Sequence, residues 1–307
     1  MIKAALVCVL AAAVMTSCSI RKIGETEDTK AKKSVSDKAM DTAEEDITTA
    51  TEDASGQVTE DATGQVTDAP ETHTEAPETH VEPQVPAGEY EPIVFMYHLI
   101  LDEPYSVYEN LFVRPSEFES QLAILNSLGY RYAFADEYGT FEYPTAMITL
   151  DDGYEDNYTE MFPILKKAGA KATVFLATSL VGTDGYLTED QIREMAGSGL
   201  VSFQSHTVDH GELTYYDADG IADQITRSAE YIESLTGKKV TAFAYPAGRF
   251  NDFVLAETAK HVRFAYTTES PSARSVVSDL AIPRYRVPRG YPDSAFREIA
   301  EGGMEGK

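Results

Sequence analysis

Aromatic residues are missing from the first 89 of the 307 residues, since all 18 Tyr and 13 Phe lie at or after Tyr90. The stretch 19–89 therefore lacks the aromatic side chains that help to build a core, and it carries 18 acidic residues against 6 basic ones. A chain this polar cannot offset the entropic cost of ordering by burying apolar surface. We expect a disordered acidic linker at 19–89 and a single folded domain at 90–307, which is long enough for one sizeable core.

Cysteine and basic residues are also scarce. The only cysteines are Cys8 and Cys18, so the predicted domain has no disulfide, no thiol nucleophile and no cysteine metal ligand. There are 51 Asp and Glu against 25 Lys and Arg, which gives a net charge of −26, of which the linker contributes −12. Because phosphate binding needs a basic surface, this balance argues against a nucleic-acid partner. The acidity of the domain suits a neutral or cationic glycan better than an anionic polymer.

An apolar run of twelve residues, 4–15, follows the lysine at position 3. The run is too short to span a bilayer, which takes about 20 apolar residues, but it has the length of a signal-peptide core. The sequence Met15-Thr16-Ser17-Cys18 at its end resembles the lipobox of bacterial lipoproteins. The resemblance implies a signal peptide at 1–18, a lipid on Cys18 and an anchor on the outer face of the cell membrane. An ordinary secretory signal is the alternative interpretation.

Short repeats fill part of the linker. Residues 51–58 recur almost unchanged as 59–66, and residues 67–73 recur as 74–80. Repeats this short and polar have no apolar face with which to stack, so they do not predict a solenoid. They are typical of an extended, self-repelling spacer that lets an anchored domain reach away from the membrane.

Within 90–307, short apolar runs alternate with stretches whose apolar residues recur at helical spacing, and Ser116 is placed to cap the first helix. This alternation predicts an α/β domain with a parallel sheet and outer helices, and seven such units favour a barrel over an open sheet. In either architecture the functional groups belong at the carboxyl ends of the strands. The predicted strands are 92–98, 146–151, 172–177, 201–205, 241–245, 264–268 and 281–287, and the predicted helices are 116–128, 155–168, 189–196, 220–235 and 251–261.

Ionisable residues follow several of these strands directly. The strand predicted at 146–151 ends in Asp151 and is followed by Asp152. The strand predicted at 201–205 is followed by His206 and His210, and the strand predicted at 92–98 ends in His98. Two histidines at i and i+4 together with an aspartate suit zinc or a similar divalent ion, and three protein ligands leave positions open for water. An Asp-Asp-Gly turn or a spaced histidine pair is common without function when it occurs alone. Their joint appearance at the ends of different strands favours a catalytic metal site.

These motifs resemble those of the polysaccharide deacetylases, the NodB-homology group of carbohydrate esterase family 4, over residues 91–291. Residues 149–153, Thr-Leu-Asp-Asp-Gly, resemble the first motif of the family, and residues 205–210, Ser-His-Thr-Val-Asp-His, resemble the second. The resemblance implies a distorted (β/α)7 barrel in which Asp151 is the general base and Thr207 steadies the loop of the second motif. It also implies a divalent metal, zinc first with cobalt or nickel as alternatives, held by Asp152, His206 and His210.

Two features depart from the usual family pattern. Residues 243–248, Phe-Ala-Tyr-Pro-Ala-Gly, stand where the third motif normally begins with arginine, and no Leu-x-His motif occurs near the C-terminus. Both departures are similar to the branch that deacetylates poly-N-acetylglucosamine, in which a Tyr-His pair near the start of the domain supplies the acid. That similarity implies His98 as general acid and Arg284, in Ile282-Pro-Arg284, as the residue that orients a carboxylate. A structural role for His98 is the alternative.

The expected activity is metal-dependent hydrolysis of N-acetyl groups on an extracellular or cell-surface polysaccharide. Tyr245 and Pro246 are predicted to lie against the substrate, where a backbone N–H near Tyr245 helps to hold the acetyl oxygen. A peptidoglycan or xylan deacetylase and a non-catalytic, sugar-binding surface lipoprotein are the alternatives. The predicted partners are the N-acetylated polysaccharide and, through the lipid, the membrane, with the protein itself a monomer.

Overall fold

The computed structural model describes residues 90–103, 111–274 and 278–304. The predicted signal peptide at 1–18, Cys18 and the linker at 19–89 lie outside the described residues. Within the described part of the chain, no helix is both long and apolar enough to cross a membrane.

A curved sheet of parallel strands forms the centre of the domain, in the order β10-β1-β5-β6-β7-β8-β9, with β4 paired to the start of β5. The sheet and its outer helices confirm the distorted (β/α)7 barrel. The strands are β1 Ile93–Tyr97, β2 Leu99–Ile100, β3 Phe112–Val113, β4 Arg131–Tyr132, β5 Thr145–Asp152, β6 Ala172–Leu176, β7 Val201–Ser205, β8 Ala242–Ala244, β9 Phe264–Tyr266 and β10 Tyr285–Arg286.

The described ranges contain six α-helices, and most of these begin or end on a residue suited to the position. Asp217 and Asn251 cap helix N-termini with their side chains, and Gly169 and Gly237 end helices in the left-handed conformation. The first helix begins one residue before the predicted Ser116 cap, because Pro115 occupies its first turn. The helices are α1 Pro115–Ser127, α2 Phe162–Ala168, α3 Glu189–Gly197, α4 Ala218–Thr236, α5 Asp252–Thr258 and α6 Asp293–Gly302.

The predicted last strand, 281–287, is divided in the structure. Tyr285 and Arg286 pair with β1, whereas Ile282 forms a parallel bridge with Tyr266 of β9. The segment therefore contacts both edge strands of the sheet and joins them. Between these two contacts lies Arg284, which is completely buried.

The register of the strand pairs places the carboxyl ends of the strands at the same edge of the sheet. Asp152 is level with Leu176 of β6, Leu176 is level with Ser205 of β7, and Ser205 is level with Phe243 of β8. Tyr97 at the end of β1 lies beside Leu150 of β5. Strands β1, β5, β6, β7 and β8 are buried along their whole length, which fixes this register because a shift of one residue would turn every side chain to the other face. The residues that follow these strands therefore share one face of the barrel.

Candidate active site

Three predicted metal ligands lie together at the carboxyl ends of β5 and β7. The Nε2 atoms of His206 and His210 are 3.4 Å and 3.2 Å from Oδ1 of Asp152, and one potential ligand atom from each residue lies within 4.8 Å of the others. The side chains of Asp152 and His206 are 10% and 2% exposed, but that of His210 is 41% exposed. The cluster therefore faces an opening through which a substrate can reach it.

The chemistry of this cluster fits a divalent cation. Oδ1 of Asp152 is buried and has no hydrogen-bond donor among the described residues, although two imidazole Nε2 atoms face it. Nδ1 of His206 donates to the carbonyl oxygen of Ala244 at 2.7 Å, which leaves Nε2 of the neutral ring with a free lone pair toward the cluster. Carboxylate and imidazole are ligands that zinc and similar ions take.

The same cluster affects the protonation of its members. Burial acts to raise the pKa of Asp152, but the neighbouring His206 and His210 hold it well below the ordinary value. The carboxylate of Asp152 conversely raises the pKa of His210, against the effect of burial. Asp152 is thus ionised over the whole neutral range and available as a ligand.

The loop between the two histidines is held by side chains that the sequence motifs did not single out. Oε1 of Gln224, on α4, accepts the backbone N–H of Val208 at 2.9 Å, and Nε2 of the same amide donates to Asp209 at 3.0 Å. Asp209 also accepts the hydroxyl of Tyr216 and the backbone N–H of Gly211. A signal existed in the sequence, because Gln224 is a polar residue on the apolar, buried face of a helix.

The expected role of Thr207 in steadying this loop is not seen. Its buried hydroxyl has no hydrogen-bond partner among the described residues, whereas its backbone N–H donates to Ser205. The backbone of Thr207 is left-handed, with φ 71°.

Strained backbone is concentrated around this site. The four non-glycine residues with positive φ in the described chain are Asp152, Thr207, His210 and Ala247, with φ between 53° and 76°. Such conformations are unfavourable for residues with a Cβ and persist where surrounding contacts enforce them, commonly at functional sites. Gly153 has φ 84°, and a Cβ there would collide with the side chain of Leu176. The first motif therefore requires glycine after its two aspartates.

Asp151, the predicted base, is paired with the predicted orienting residue Arg284. Two parallel hydrogen bonds of 2.7 Å join the guanidinium to both carboxylate oxygens, and the two side chains are 0% and 2% exposed. Arg284 is itself fixed by donating to the backbone oxygen of Thr267 and to Oγ1 of Thr149. Burial acts to raise the pKa of Asp151, but Arg284 holds it below the ordinary value. Asp151 is kept ionised, as a general base must be.

His98, the predicted acid, lies on the other side of Asp151. Its Nε2 is 3.9 Å from Oδ2 of Asp151, and its side chain is 12% exposed. Burial lowers the pKa of His98, although Asp151 and Asp152 act to raise it. The imidazole makes no hydrogen bond to another described side chain, so it is available to a bound molecule.

The contact of Tyr245 with substrate stays a prediction, but neither its hydroxyl nor its backbone N–H is free to make it. The residue is completely buried, its hydroxyl donates to the carbonyl of Leu280, and its backbone N–H donates to Tyr266 within the sheet. Pro246, also buried, begins the turn that follows, and the next N–H belongs to Ala247, which is exposed and has no acceptor among the described residues. The free N–H in this turn is thus two residues after Tyr245.

Two tyrosines form a wall beside the first motif. Tyr154 and Tyr186 stack at 5.0 Å between ring centroids and are joined by an antiparallel bridge. Hydrogen bonds from Glu155 to Gly185 and from Leu187 to Gly153 attach the loop after β6 to the loop after β5. Burial and the charge of Asp152 raise the pKa of Tyr154, which stays a neutral phenol beside the predicted metal ligands.

Comparison with known proteins points to one family. The profile of polysaccharide deacetylases matches residues 139–265. YxkH of Bacillus subtilis, named as a polysaccharide deacetylase, is 34% identical over 216 residues, covering 68% of this chain and 75% of that protein. A poly-beta-1,6-N-acetyl-D-glucosamine N-deacetylase of Staphylococcus aureus is 27% identical over 211 residues, covering 62% and 71%. The crystal structure of BC0361, a polysaccharide deacetylase from Bacillus cereus, has a TM-score of 0.62 and 30% identity, covering 71% and 70%.

Proposed function

This chain belongs to the polysaccharide deacetylase family and is a hydrolase, and we propose that it removes N-acetyl groups from a poly-N-acetylglucosamine-like polysaccharide in a metal-dependent reaction. The observation that carries the proposal is one cluster in which Asp151, paired with Arg284, adjoins the ligand set of Asp152, His206 and His210. The similarity to the Staphylococcus aureus deacetylase and the Tyr97-His98 and Ile282-Pro-Arg284 sequences favour this glycan.

Asp151 is the base of the proposed reaction. A bound divalent cation, zinc or alternatively cobalt or nickel, would lower the pKa of water toward ~7 and polarise the acetyl carbonyl. Asp151 accepts the proton of the attacking water, and its bidentate pairing with Arg284 both keeps it ionised and fixes the direction of its free lone pairs. In this proposal the backbone N–H of Ala247, in the turn after Tyr245, helps to hold the acetyl oxygen.

His98 is the proposed acid. When the C–N bond of the acetamide breaks, the nitrogen must gain a proton, because an amide anion is a very poor leaving group. His98 carries this proton on Nε2 and donates it to the leaving nitrogen, which departs as the free amine of the sugar, and acetate is the other product. The support for this role is that Nε2 of His98 lies 3.9 Å from Oδ2 of Asp151, the proposed base.

Metal removal and a panel of glycans test this function. Treatment with a chelator is expected to abolish acetate release from poly-β-1,6-N-acetylglucosamine oligomers, and addition of zinc, cobalt or nickel is expected to restore it. Peptidoglycan and acetylated xylan are assayed in parallel with the metal content of the protein. His206→Gln, which loses one ligand, should not recover on metal addition. Acetate release that persists in fully metal-free protein would contradict metal dependence, and greater activity on either alternative glycan would reassign the substrate.

We also propose that the domain is held on the outer face of the cell membrane through a lipid on Cys18, with 19–89 as the spacer. The support is the apolar run that ends at Cys18 and the acidic repeats behind it. Cys18→Ser is expected to abolish labelling by a radioactive fatty acid and to shift the protein from the membrane to the soluble fraction. Cys8→Ser, within the predicted leader, is the matched control and should leave labelling unchanged. Equal labelling of the wild type and Cys18→Ser would exclude the lipid site.

A further inference from the structure

His98 has an unusual attachment for a predicted acid. Its imidazole lies 3.9 Å from Asp151 but makes no hydrogen bond to another described residue, so no side chain in the described part of the chain fixes the ring. The residue lies between β1, which ends at Tyr97, and the short strand β2, which begins at Leu99 and pairs outside the main sheet. The position of the ring therefore depends on how the backbone of this connection is held.

Two side chains from the segment after the first motif hold that backbone. Oδ1 of Asp156 accepts the backbone N–H of Ile100 at 2.7 Å, and Nδ2 of Asn157 donates to the carbonyl oxygen of His98 at 3.0 Å. Nδ2 of Asn157 also donates to Oδ1 of Asp156 at 3.0 Å, which links the two contacts. Asp156 and Asn157 are 6% and 0% exposed, so water does not compete for these hydrogen bonds.

Asn157 is placed there at a cost. Its Oδ1 is buried without a partner among the described residues, and packing alone would favour an apolar side chain at such a position. Both neighbours of Nδ2 are acceptors, which establishes the orientation of the amide. Asn157 also begins a π-helical turn, Asn157–Met161, that leads into α2, and such turns recur at functional sites. A need for the amide donor explains these features together.

We propose that Asp156 and Asn157 are positioning residues, which set the location of the His98 imidazole relative to Asp151 by binding the backbone on either side of it. The proposal rests on the proposed role of His98 as acid. It assigns a function to these two residues behind the first motif, since they connect the segment carrying the base, Asp151, to the one carrying the acid.

Two substrates with different leaving groups test the proposal. Hydrolysis of an N-acetylated sugar oligomer needs an acid, whereas an aryl acetate ester does not, because its phenolate leaves unassisted. His98→Ala should lower kcat/KM for the amide by ~10²-fold or more and leave the ester nearly unchanged. Asn157→Ala and Asp156→Ala should show the same selective loss, by about tenfold or more on the amide. Asp156→Asn, whose amide oxygen can still accept the N–H of Ile100, should recover most of the activity.

Asn126→Ala is the matched control. Nδ2 of Asn126 donates to the carbonyl of Ala168 at 3.0 Å, the same type of bond in a contact between α1 and α2 away from the site. Its ratio of amide to ester activity should equal that of the wild type. Equal losses on both substrates in Asn157→Ala, or no loss on either, would overturn the positioning role. If the wild type hydrolyses neither substrate, the proposed function fails instead.

NMR spectra of the His98 ring test the positioning role without depending on catalytic activity. The ring resonances of His98 in long-range ¹H–¹⁵N correlation spectra should shift or broaden in Asn157→Ala and Asp156→Ala, but not in Asn126→Ala. Thermal unfolding of each variant shows whether the domain has remained folded. Unchanged His98 resonances in folded Asn157→Ala protein would remove the proposal whatever the activity of the enzyme.

Discussion

Asp151→Asn is expected to lower the rate of acetate release by ~10²–10⁴-fold, which is the usual contribution of a positioned general base. The substitution preserves size and leaves the neighbouring predicted ligand Asp152 unaltered, but the amide cannot accept a proton at neutral pH. The loss should appear in kcat for both the amide and the ester substrate, because both reactions begin with attack by water. This pattern differs from that of His98→Ala, which affects the amide selectively.

Asp136→Asn is the matched control for Asp151→Asn. Asp136 is a partly buried aspartate, which accepts a hydrogen bond of 2.9 Å from Ser202 at the amino end of β7, at the opposite end of the strands from the predicted ligand cluster. Its substitution should leave both activities close to those of the wild type. Metal content must be measured with the rates, because Asn at position 151 is adjacent to a ligand. A fully active Asp151→Asn protein with normal metal content would remove Asp151 from the mechanism.

The ends of the buried strands could be predicted from the sequence with good accuracy. Strand β7 was expected at 201–205 and is found at Val201–Ser205, because this strand, buried along its whole length, is bounded by Gly199 and by the polar residues that follow. The polar residues that follow β7, among them His206 and His210, could be placed at the carboxyl ends of the strands from the parallel arrangement of the sheet alone. The proximity of Asp152 to this pair followed from the same rule.

Short elements and those defined by tertiary contact could not be predicted. Strands β2 and β3 contain two residues each, which is too few for any periodicity to be recognised. Helix α6 was missed, and the predicted last strand is divided because its residues bond alternately to two different edges. These contacts join residues that are far apart in the chain, so no local sequence pattern indicates them.

Some side-chain partnerships were equally invisible in the sequence. Arg284 lies 133 residues from Asp151, and it was suggested by resemblance to a family rather than by spacing. The side chains of Asn157 and Gln224 form hydrogen bonds with backbone groups of other loops. Almost every residue carries such groups, so the sequence does not indicate which of them a side chain will contact. Tyr245 was assigned to the substrate because its motif is near the site, yet sheet pairing with Tyr266 uses its N–H.

Arg284→Met is expected to reduce the free energy of unfolding at neutral pH by about 3–5 kcal/mol, because it leaves the buried carboxylate of Asp151 without its cation. Methionine approximates the length of the aliphatic stem, so the loss reports mainly the ion pair and its hydrogen bonds. Arg284→Lys should recover only part of the stability, since an ammonium cannot form the two parallel bonds to Asp151. Arg227→Met, which breaks an exposed pair with Asp223, should change stability little.

The pH dependence of this effect has a definite sign. In the wild type the pKa of Asp151 is lowered below the ordinary 3.8, so the pair stabilises the fold above that pH and its contribution disappears as the pH falls through the lowered value. Burial is offset chiefly by Arg284, so the pKa of Asp151 is expected to rise when Arg284 is replaced. The stability deficit of Arg284→Met, measured by urea unfolding of metal-free protein, should therefore be largest at neutral pH and should shrink toward pH 4.

The higher pKa of Asp151 expected in Arg284→Met should also change the pH dependence of catalysis. The acid limb of the kcat/KM profile reports ionisation of the base in the free enzyme, so it should move to higher pH in Arg284→Met. At the alkaline end of the limb Asp151 is ionised in both proteins, and part of the rate difference should close there. Any difference that remains measures the loss of orientation, since the guanidinium also aims the carboxylate. An acid limb that stays in place, with a stability deficit independent of pH, would mean that Arg284 acts through packing rather than through the charge of Asp151.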